Sequence, residues 1–317
     1  MTERLILITE APVPEDVIDG LRETAAGFEI IAKADLADEL LARAEVVAGH
    51  LSPERLDIAK ALRWNHLWTA GTDADLPQRM VDSDIVLTSS AGNGAVPLAE
   101  HALLLMMMLG RDMPRWTAAQ SARRWERFRH GELAGKTVGI VGMGKAGQDL
   151  AVKCHAFHMR VLGLRSRPEK GATRVEHMYG PTEIVEFAAA CDFLFVAAPL
   201  VETTRGMIDE SVFAAMKPSA FIVNVSRGEI IDEPAMLAAV TEGRIAGAGL
   251  DAHREEPLPE NSPWWSLPNV VVTPHNGATT PQTVARGMDI FVENVNRYVT
   301  GGRLLNVVDK NSGYAPV

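Results

Sequence analysis

Three ionisable residues in the C-terminal half of the chain have the types and setting of a reaction centre. They are Arg227 in NVSRG, Glu256 in LDAHREEPLP and His275 in VVVTPHNGATT. Arg227 and His275 each follow an apolar run that reads as a buried strand, and Glu256 lies in the loop after a third run ending at Asp251. A histidine beside a carboxylate has its imidazolium form stabilised and can donate a proton near neutral pH. A guanidinium alongside can grip a carboxylate and polarise a carbonyl. With a hydride donor adjacent, these parts suffice to reduce a 2-oxo acid. Singly, each has a plainer reading: a surface arginine, a loop acid, a histidine satisfied by backbone. Their joint placement at strand ends favours the chemistry.

The hydride donor is implied by the stretch GKTVGIVGMGKAGQDLAVKCHAFHMRVLGLRSR at 135–167. A β-branched run at 137–141 ends in Gly142, Gly144 and Gly147, a helical pattern follows through Leu150, Ala151, Cys154 and Phe157, and a second strand comes at 160–164. Strand, glycine turn, helix and strand in this order form the dinucleotide-binding fingerprint in its required context. Gly142 permits the turn off the strand, Gly144 the approach of a pyrophosphate, and Gly147 the packing of helix on sheet. The N–H groups and dipole at the helix start supply an anion site. Where an NAD site usually places an acid on the ribose 2′-OH, this chain has Arg165, Ser166 and Arg167. Two guanidiniums and a hydroxyl suit a 2′-phosphate, so NADP(H) is expected as the preferred cofactor, with NAD(H) possible.

The elements around these residues alternate. Strands are expected at 5–9, 29–31, 46–48, 67–69 and 85–88, with helices at 37–44 and 53–61 and another opened by Pro12, Pro14 and Glu15 toward Thr24. This pattern means a parallel, helix-flanked sheet. Helices at 96–113 and 114–127 lead into the glycine turn. Strands at 193–197, 221–225, 246–250 and 270–273 then deliver Pro199, Arg227, Asp251 and His275 to one sheet edge, where ligands sit in doubly wound folds. A last helix covers 281–299.

With 317 residues, 47% apolar and 23% charged, the chain has the length of two ordinary globular domains. Its net charge of −10 argues against nucleic-acid or anionic-membrane binding, though not against a local phosphate pocket. The run at 102–110 is too short to span a membrane and reads as a buried helix. The acidic N-terminus does not read as a signal peptide. Two cysteines, Cys154 and Cys191, without metal or redox spacing, suit a reducing cytoplasm, and no metal site is expected. Cys154, His155 and His158 fall within the cofactor helix, where packing is the better reading.

Taken together, VGIVGMGKAG (138–147), APLVETTRGMI (198–208), NVSRGEIIDEPAML (224–237), GAGLDAHREEPLP (247–259) and LPNVVVTPHNGATT (267–280) resemble the D-isomer-specific 2-hydroxyacid dehydrogenase family. The likeness is strongest to its glyoxylate/hydroxypyruvate reductase branch and covers nearly the whole chain. It implies an α/β fold of two Rossmann-like, doubly wound parallel-sheet domains with the active site in the cleft between them. Residues 1–95 with 285–317 would bind substrate, and 96–284 the dinucleotide. Arg227, Glu256 and His275 would be the catalytic triad. His275 would protonate the carbonyl, Glu256 would hold its imidazole, and Arg227 would grip the substrate. Gly142, Gly144, Lys145, Ala146 and Gly147 would cradle pyrophosphate, and Arg165, Ser166 and Arg167 the adenine ribose. Pro199, Val225, Asp251 and Gly277 would complete the cofactor site, with Asp251 on the nicotinamide carboxamide. Thr69-Ala70-Gly71-Thr72-Asp73 resembles the family's carboxylate loop, so the N–H groups of Ala70 and Gly71 would bind substrate, with Leu51 lining the pocket. A homodimer is implied through the arginine-rich run at 123–129, from which Trp125 would reach the neighbour.

Asn276 departs from the usual small or aliphatic residue after the histidine, and Thr72 replaces a more common apolar one. Trp68 is the aromatic to consider for a bulky-substrate pocket; packing is preferred for the others. Two other readings fit parts of the pattern: a dinucleotide-sensing corepressor on the same scaffold, and a family enzyme for phosphoglycerate or formate. The triad argues against the first. The lack of an expected regulatory domain after 317, and Glu256 where formate enzymes resemble a Gln–His pairing, weaken the second.

Overall fold

The structure, a computed structural model, describes residues 4–10, 13–32, 37–73 and 75–315. The chain divides into two compact units, Met1–Asn93 with Thr280–Val317, and Gly94–Thr279. Among the described residues no helix is long and apolar enough to cross a membrane.

The first unit alternates β1 (Arg4–Ile8), α1 (Glu15–Thr24), β2 (Phe28–Ala32), α2 (Asp38–Arg43), β3 (Ala44–Ala48), α3 (Pro53–Ile58), β4 (Trp64–Leu67), α4 (Gln78–Val81) and β5 (Val86–Ser89). All five strands are parallel, in the order β2-β1-β3-β4-β5. Leu5, Ile6, Leu7 and Ile8 are all buried, as expected for a parallel strand covered on both faces. Pro12, expected to help open the first helix, lies outside the described residues.

The second unit begins with α5 (Ala95–Gly110) and α6 (Met113–Ser121), followed by β6 (Thr137–Val141), α7 (Lys145–Ala156), β7 (Arg160–Leu164) and β8 (His177–Tyr179). Then come α8 (Ile184–Ala190), β9 (Phe193–Val196), α9 (Glu210–Ala215), β10 (Phe221–Asn224), α10 (Glu233–Thr241), β11 (Gly247–Leu250) and β12 (Val270–Val272). Its seven parallel strands run β12-β11-β10-β9-β6-β7-β8. The order reverses at β6, which carries the glycine turn. That is the topological switch point where doubly wound sheets bind their ligands. The chain closes the first unit with α11 (Pro281–Val299), capped by Thr280 Oγ1 accepting from Thr283 N at 3.1 Å. Its buried Gly287, Met288, Phe291, Asn294 and Val295 recur at helical spacing and form the face turned to the core.

Three elements differ from expectation. β4 is Trp64–Leu67 rather than 67–69, because polar residues inside it disguise a fully buried strand. Asn65 Nδ2 donates to the carbonyls of Val47 and Gly49, and the His66 ring meets Thr88 and Ser90 hydroxyls. α6 stops at Ser121 rather than running to 127, with Arg123 left-handed at φ 53°. The following segment folds back instead: Arg115 bonds Glu126 at 2.7 Å and sits over the Phe128 ring. β8, at three residues, was too short to anticipate.

Candidate active site

The catalytic candidates belong to the second unit, at the carboxyl ends of neighbouring strands β10, β11 and β12. Arg227 follows β10 in extended conformation, and its Nη1 donates to the Ser226 carbonyl at 2.9 Å. Gly228 comes next, and a Cβ there would fall 2.2 Å from Arg254 N and His253 C. Only glycine allows that approach, which lays the loop after β11 against the arginine turn.

That loop carries Glu256. Its Oε1 accepts from the His253 N–H at 2.8 Å, and its Oε2 meets His275 Nδ1 at 2.7 Å. A carboxylate only accepts, so Nδ1 carries the proton. Nε2 is then the ring nitrogen that can trade a proton with a ligand, and it has no partner among the described residues. His275 and Glu256 side chains are 37% and 36% exposed, so the pair is reachable yet held. His275 itself is left-handed, at φ 49°. Backbone of that kind persists only where the surroundings enforce it.

Asp251 does the enforcing. Its side chain is fully buried; Oδ1 accepts from Thr273 Oγ1 at 2.7 Å and Asn276 N at 3.1 Å, and Oδ2 from Gly277 N at 3.0 Å. His101 Nε2, from α5, lies 3.4 Å from Oδ1 and 3.0 Å from Thr273 Oγ1. Burial alone would raise this carboxyl's pKa, but hydrogen bonds from His101, Thr273 and Gly277 outweigh it and hold it well below the usual carboxylate range. Asp251 and Gly277, expected together on the cofactor, thus meet each other, with the carboxylate spanning the loop that bears His275. His101 has no role in the sequence reading. Its signal, a histidine opening an apolar helix, does not reveal a partner 150 residues away.

The glycine turn has its expected geometry. Gly142 has φ 98°, with Ala198 N 2.5 Å from where a Cβ would stand, and a Cβ on Gly147 would strike the Gly142 carbonyl at 2.2 Å. Beyond Gly144 there is open space, and it starts α7 without any side-chain cap. The start of α7, with Ala146 in its first turn, is thus approachable by an anion, which fits a pyrophosphate. After β7, Arg165 Nη1 donates to the Gly171 carbonyl at 3.1 Å, while Ser166 and Arg167 are exposed. Val225 is buried at the end of β10, and Pro199 is exposed past β9. Cys154 packs in the core around α7, where burial pushes its thiol up to about 12.

The expected substrate residues belong to the first unit. Leu51 is buried in its core, just past β3. The N–H groups of Ala70 and Gly71, past β4, donate to no acceptor among the described residues, and Thr69 Oγ1 pins the loop by donating to the Gly71 carbonyl at 2.8 Å. Two adjacent N–H groups are thus left open to an acceptor. Trp68, considered for a substrate pocket, instead donates to the Thr9 carbonyl at 2.8 Å and packs edge-on against Phe291.

Residues 103–277 match the family model for the D-isomer specific 2-hydroxyacid dehydrogenase, NAD binding domain. The chain is 32% identical over 316 residues to D-3-phosphoglycerate dehydrogenase of Methanocaldococcus jannaschii, covering 96% of this chain and 59% of that protein. It is 36% identical over 213 residues to glyoxylate reductase of Pyrococcus furiosus, covering 64% of this chain and 62% of the relative. The chain thus spans about three fifths of the length of these curated relatives. Among solved structures, an NADPH-dependent glyoxylate/hydroxypyruvate reductase from Sinorhizobium meliloti, in complex with NADP and sulfate, superposes with a TM-score of 0.84 at 27% identity. The match covers 98% of this chain and all of that one (100%).

Proposed function

The chain belongs to the D-isomer specific 2-hydroxyacid dehydrogenase family, and on that premise we propose that it reduces a small 2-oxo acid of the glyoxylate/hydroxypyruvate kind to the D-2-hydroxy acid. The observation that carries this reading is the 2.7 Å contact between Glu256 Oε2 and His275 Nδ1, with Glu256 Oε1 already held by backbone. Glu256 orients the ring, His275 delivers the proton from Nε2 to the carbonyl oxygen, and Arg227 grips the substrate carboxylate and polarises the carbonyl. In the first unit the open N–H groups of Ala70 and Gly71 suit a substrate carboxylate, with Leu51 of the same unit as the expected apolar lining.

The dinucleotide, when bound, supplies the hydride. Gly142, Gly144, Lys145, Ala146 and Gly147 hold its pyrophosphate, and Pro199, Val225, Asp251 and Gly277 form the nicotinamide end. Arg165, Ser166 and Arg167 offer two cations and a hydroxyl, so NADP(H) is preferred over NAD(H). The NADP complex of the Sinorhizobium reductase supports the same choice. A homodimer is the assembly the family resemblance implies through the 123–129 segment, where Trp125, 95% exposed, is open to a partner subunit. The acidic chain suits a cytoplasmic enzyme without nucleic-acid or membrane partners.

Phosphoglycerate is the second reading, carried by the relative from Methanocaldococcus jannaschii. Initial rates of NADPH and NADH oxidation against glyoxylate, hydroxypyruvate and 3-phosphohydroxypyruvate, with His275→Ala as control, separate them. NADPH-dependent turnover of an unphosphorylated acid, lost in the variant, is the expected result. Bound nucleotide without turnover would sink the reductase reading.

A further inference from the structure

The first unit has its own histidine–carboxylate pair, which the chemistry above does not use. β1 leads into Thr9-Glu10, β3 into Gly49-His50 and β4 into the loop with the open Ala70 and Gly71 N–H groups. Glu10 Oε2 accepts from the His50 N–H at 2.9 Å. His50 Nδ1 makes a close contact with Asp75 Oδ1. Asp75 is only 11% exposed, and its own N–H returns to the Thr72 carbonyl at 3.0 Å, so it ties His50 to the loop of Ala70 and Gly71. The His50 ring is 49% exposed and otherwise unpartnered among the described residues.

The chemistry of this cluster is specific. Asp75 can only accept, so Nδ1 is the donor, and in the neutral ring Nε2 presents a lone pair outward. Such an atom accepts from a neutral hydroxyl. Two carboxylates, Glu10 and Asp75, flank it and repel a phosphate. Neighbouring parallel strands stand about 4.8 Å apart. A three-carbon acid held at Ala70 and Gly71, past β4, therefore reaches with its third carbon toward the end of β3.

Building on the reductase reading, we propose that His50, oriented by Asp75, selects 3-hydroxy-2-oxo acids by accepting the C3 hydroxyl, and that Glu10 and Asp75 disfavour 3-phosphorylated ones. The pair acts in specificity and takes no part in proton delivery.

The test measures kcat/KM for hydroxypyruvate, glyoxylate and 3-phosphohydroxypyruvate in the wild type, His50→Ala and Asp75→Asn, with Tm recorded for each. Glyoxylate has no third carbon, so the hydroxypyruvate/glyoxylate ratio reports the hydroxyl contact alone. That ratio is expected to fall about tenfold in His50→Ala, the worth of one good hydrogen bond, and by less in Asp75→Asn. His50→Gln, which keeps an acceptor, recovers part of it. Wild-type preference for 3-phosphohydroxypyruvate, or equal losses on both unphosphorylated acids, would overturn the selector while leaving the reductase standing. Wild-type turnover of none of the three would overturn the reductase reading and the selector with it.

Discussion

Asp251→Asn probes how the site is built. The native carboxylate is fully buried and takes hydrogen bonds from Thr273 Oγ1, Asn276 N and Gly277 N, with His101 at 3.4 Å. The amide keeps one acceptor oxygen. With that oxygen at the Thr273 side, the new NH2 faces the Gly277 N–H, so the Gly277 bond to a charged group is lost and the new amide donor is itself left unpaired. Those losses are worth roughly 1.5–3 and 1–3 kcal/mol, so a destabilisation of about 2.5–6 kcal/mol is expected. The loop losing its anchor carries left-handed His275, so kcat falls too. Urea unfolding without nucleotide, followed by initial rates, measures both. A stability change under about 1 kcal/mol, with the defect confined to KM for the dinucleotide, would refute the anchor and mark Asp251 as a direct cofactor contact.

His275→Gln should cut kcat about 10²–10⁴-fold while nucleotide binding, read by fluorescence titration, stays near wild type. Replacing Arg165 and Arg167 with serine should lower kcat/KM for NADPH by about 10–100-fold and leave NADH nearly untouched, from the loss of one charge-assisted contact or more. Gly228→Ala should cost at least about 1–3 kcal/mol in urea unfolding and abolish turnover, because its Cβ collides with backbone of the loop carrying Glu256. Burial pushes His66 from 6.5 down to about 3, so the unfolded chain binds an extra proton between those values. Stability is therefore full above about pH 6.5 and falls on acidification by up to about 5 kcal/mol, a loss that His66→Gln should flatten in pH-dependent thermal unfolding.

Sequence patterns carry what is local. The glycine turn, the switch-point strand and the span of α11 are visible because glycine spacing, β-branched runs and helical periodicity each act within a few residues. Arg227, Glu256 and His275 stand out for the same reason, each following an apolar strand. Asn65 and His66 hide a strand because their polar groups are satisfied by Val47, Gly49, Thr88 and Ser90, none of them local. The early end of α6 is equally opaque. It depends on Arg115 finding Glu126 and the Phe128 ring, contacts that compete with helix continuation.

The hidden contacts share a pattern with consequences for specificity. His101, Asp251 and Thr273 brace the loop of His275, and Gly228 seats the loop of Glu256; all of these belong to the second unit. The His275–Glu256 pair is therefore assembled by one unit from its own backbone and buried charge. Ala70, Gly71, Glu10, His50 and Asp75 belong to the other. Under the selectivity proposed above, exchanging His50 or Glu10 alters the response to the third carbon without removing any contact that holds His275 against Glu256.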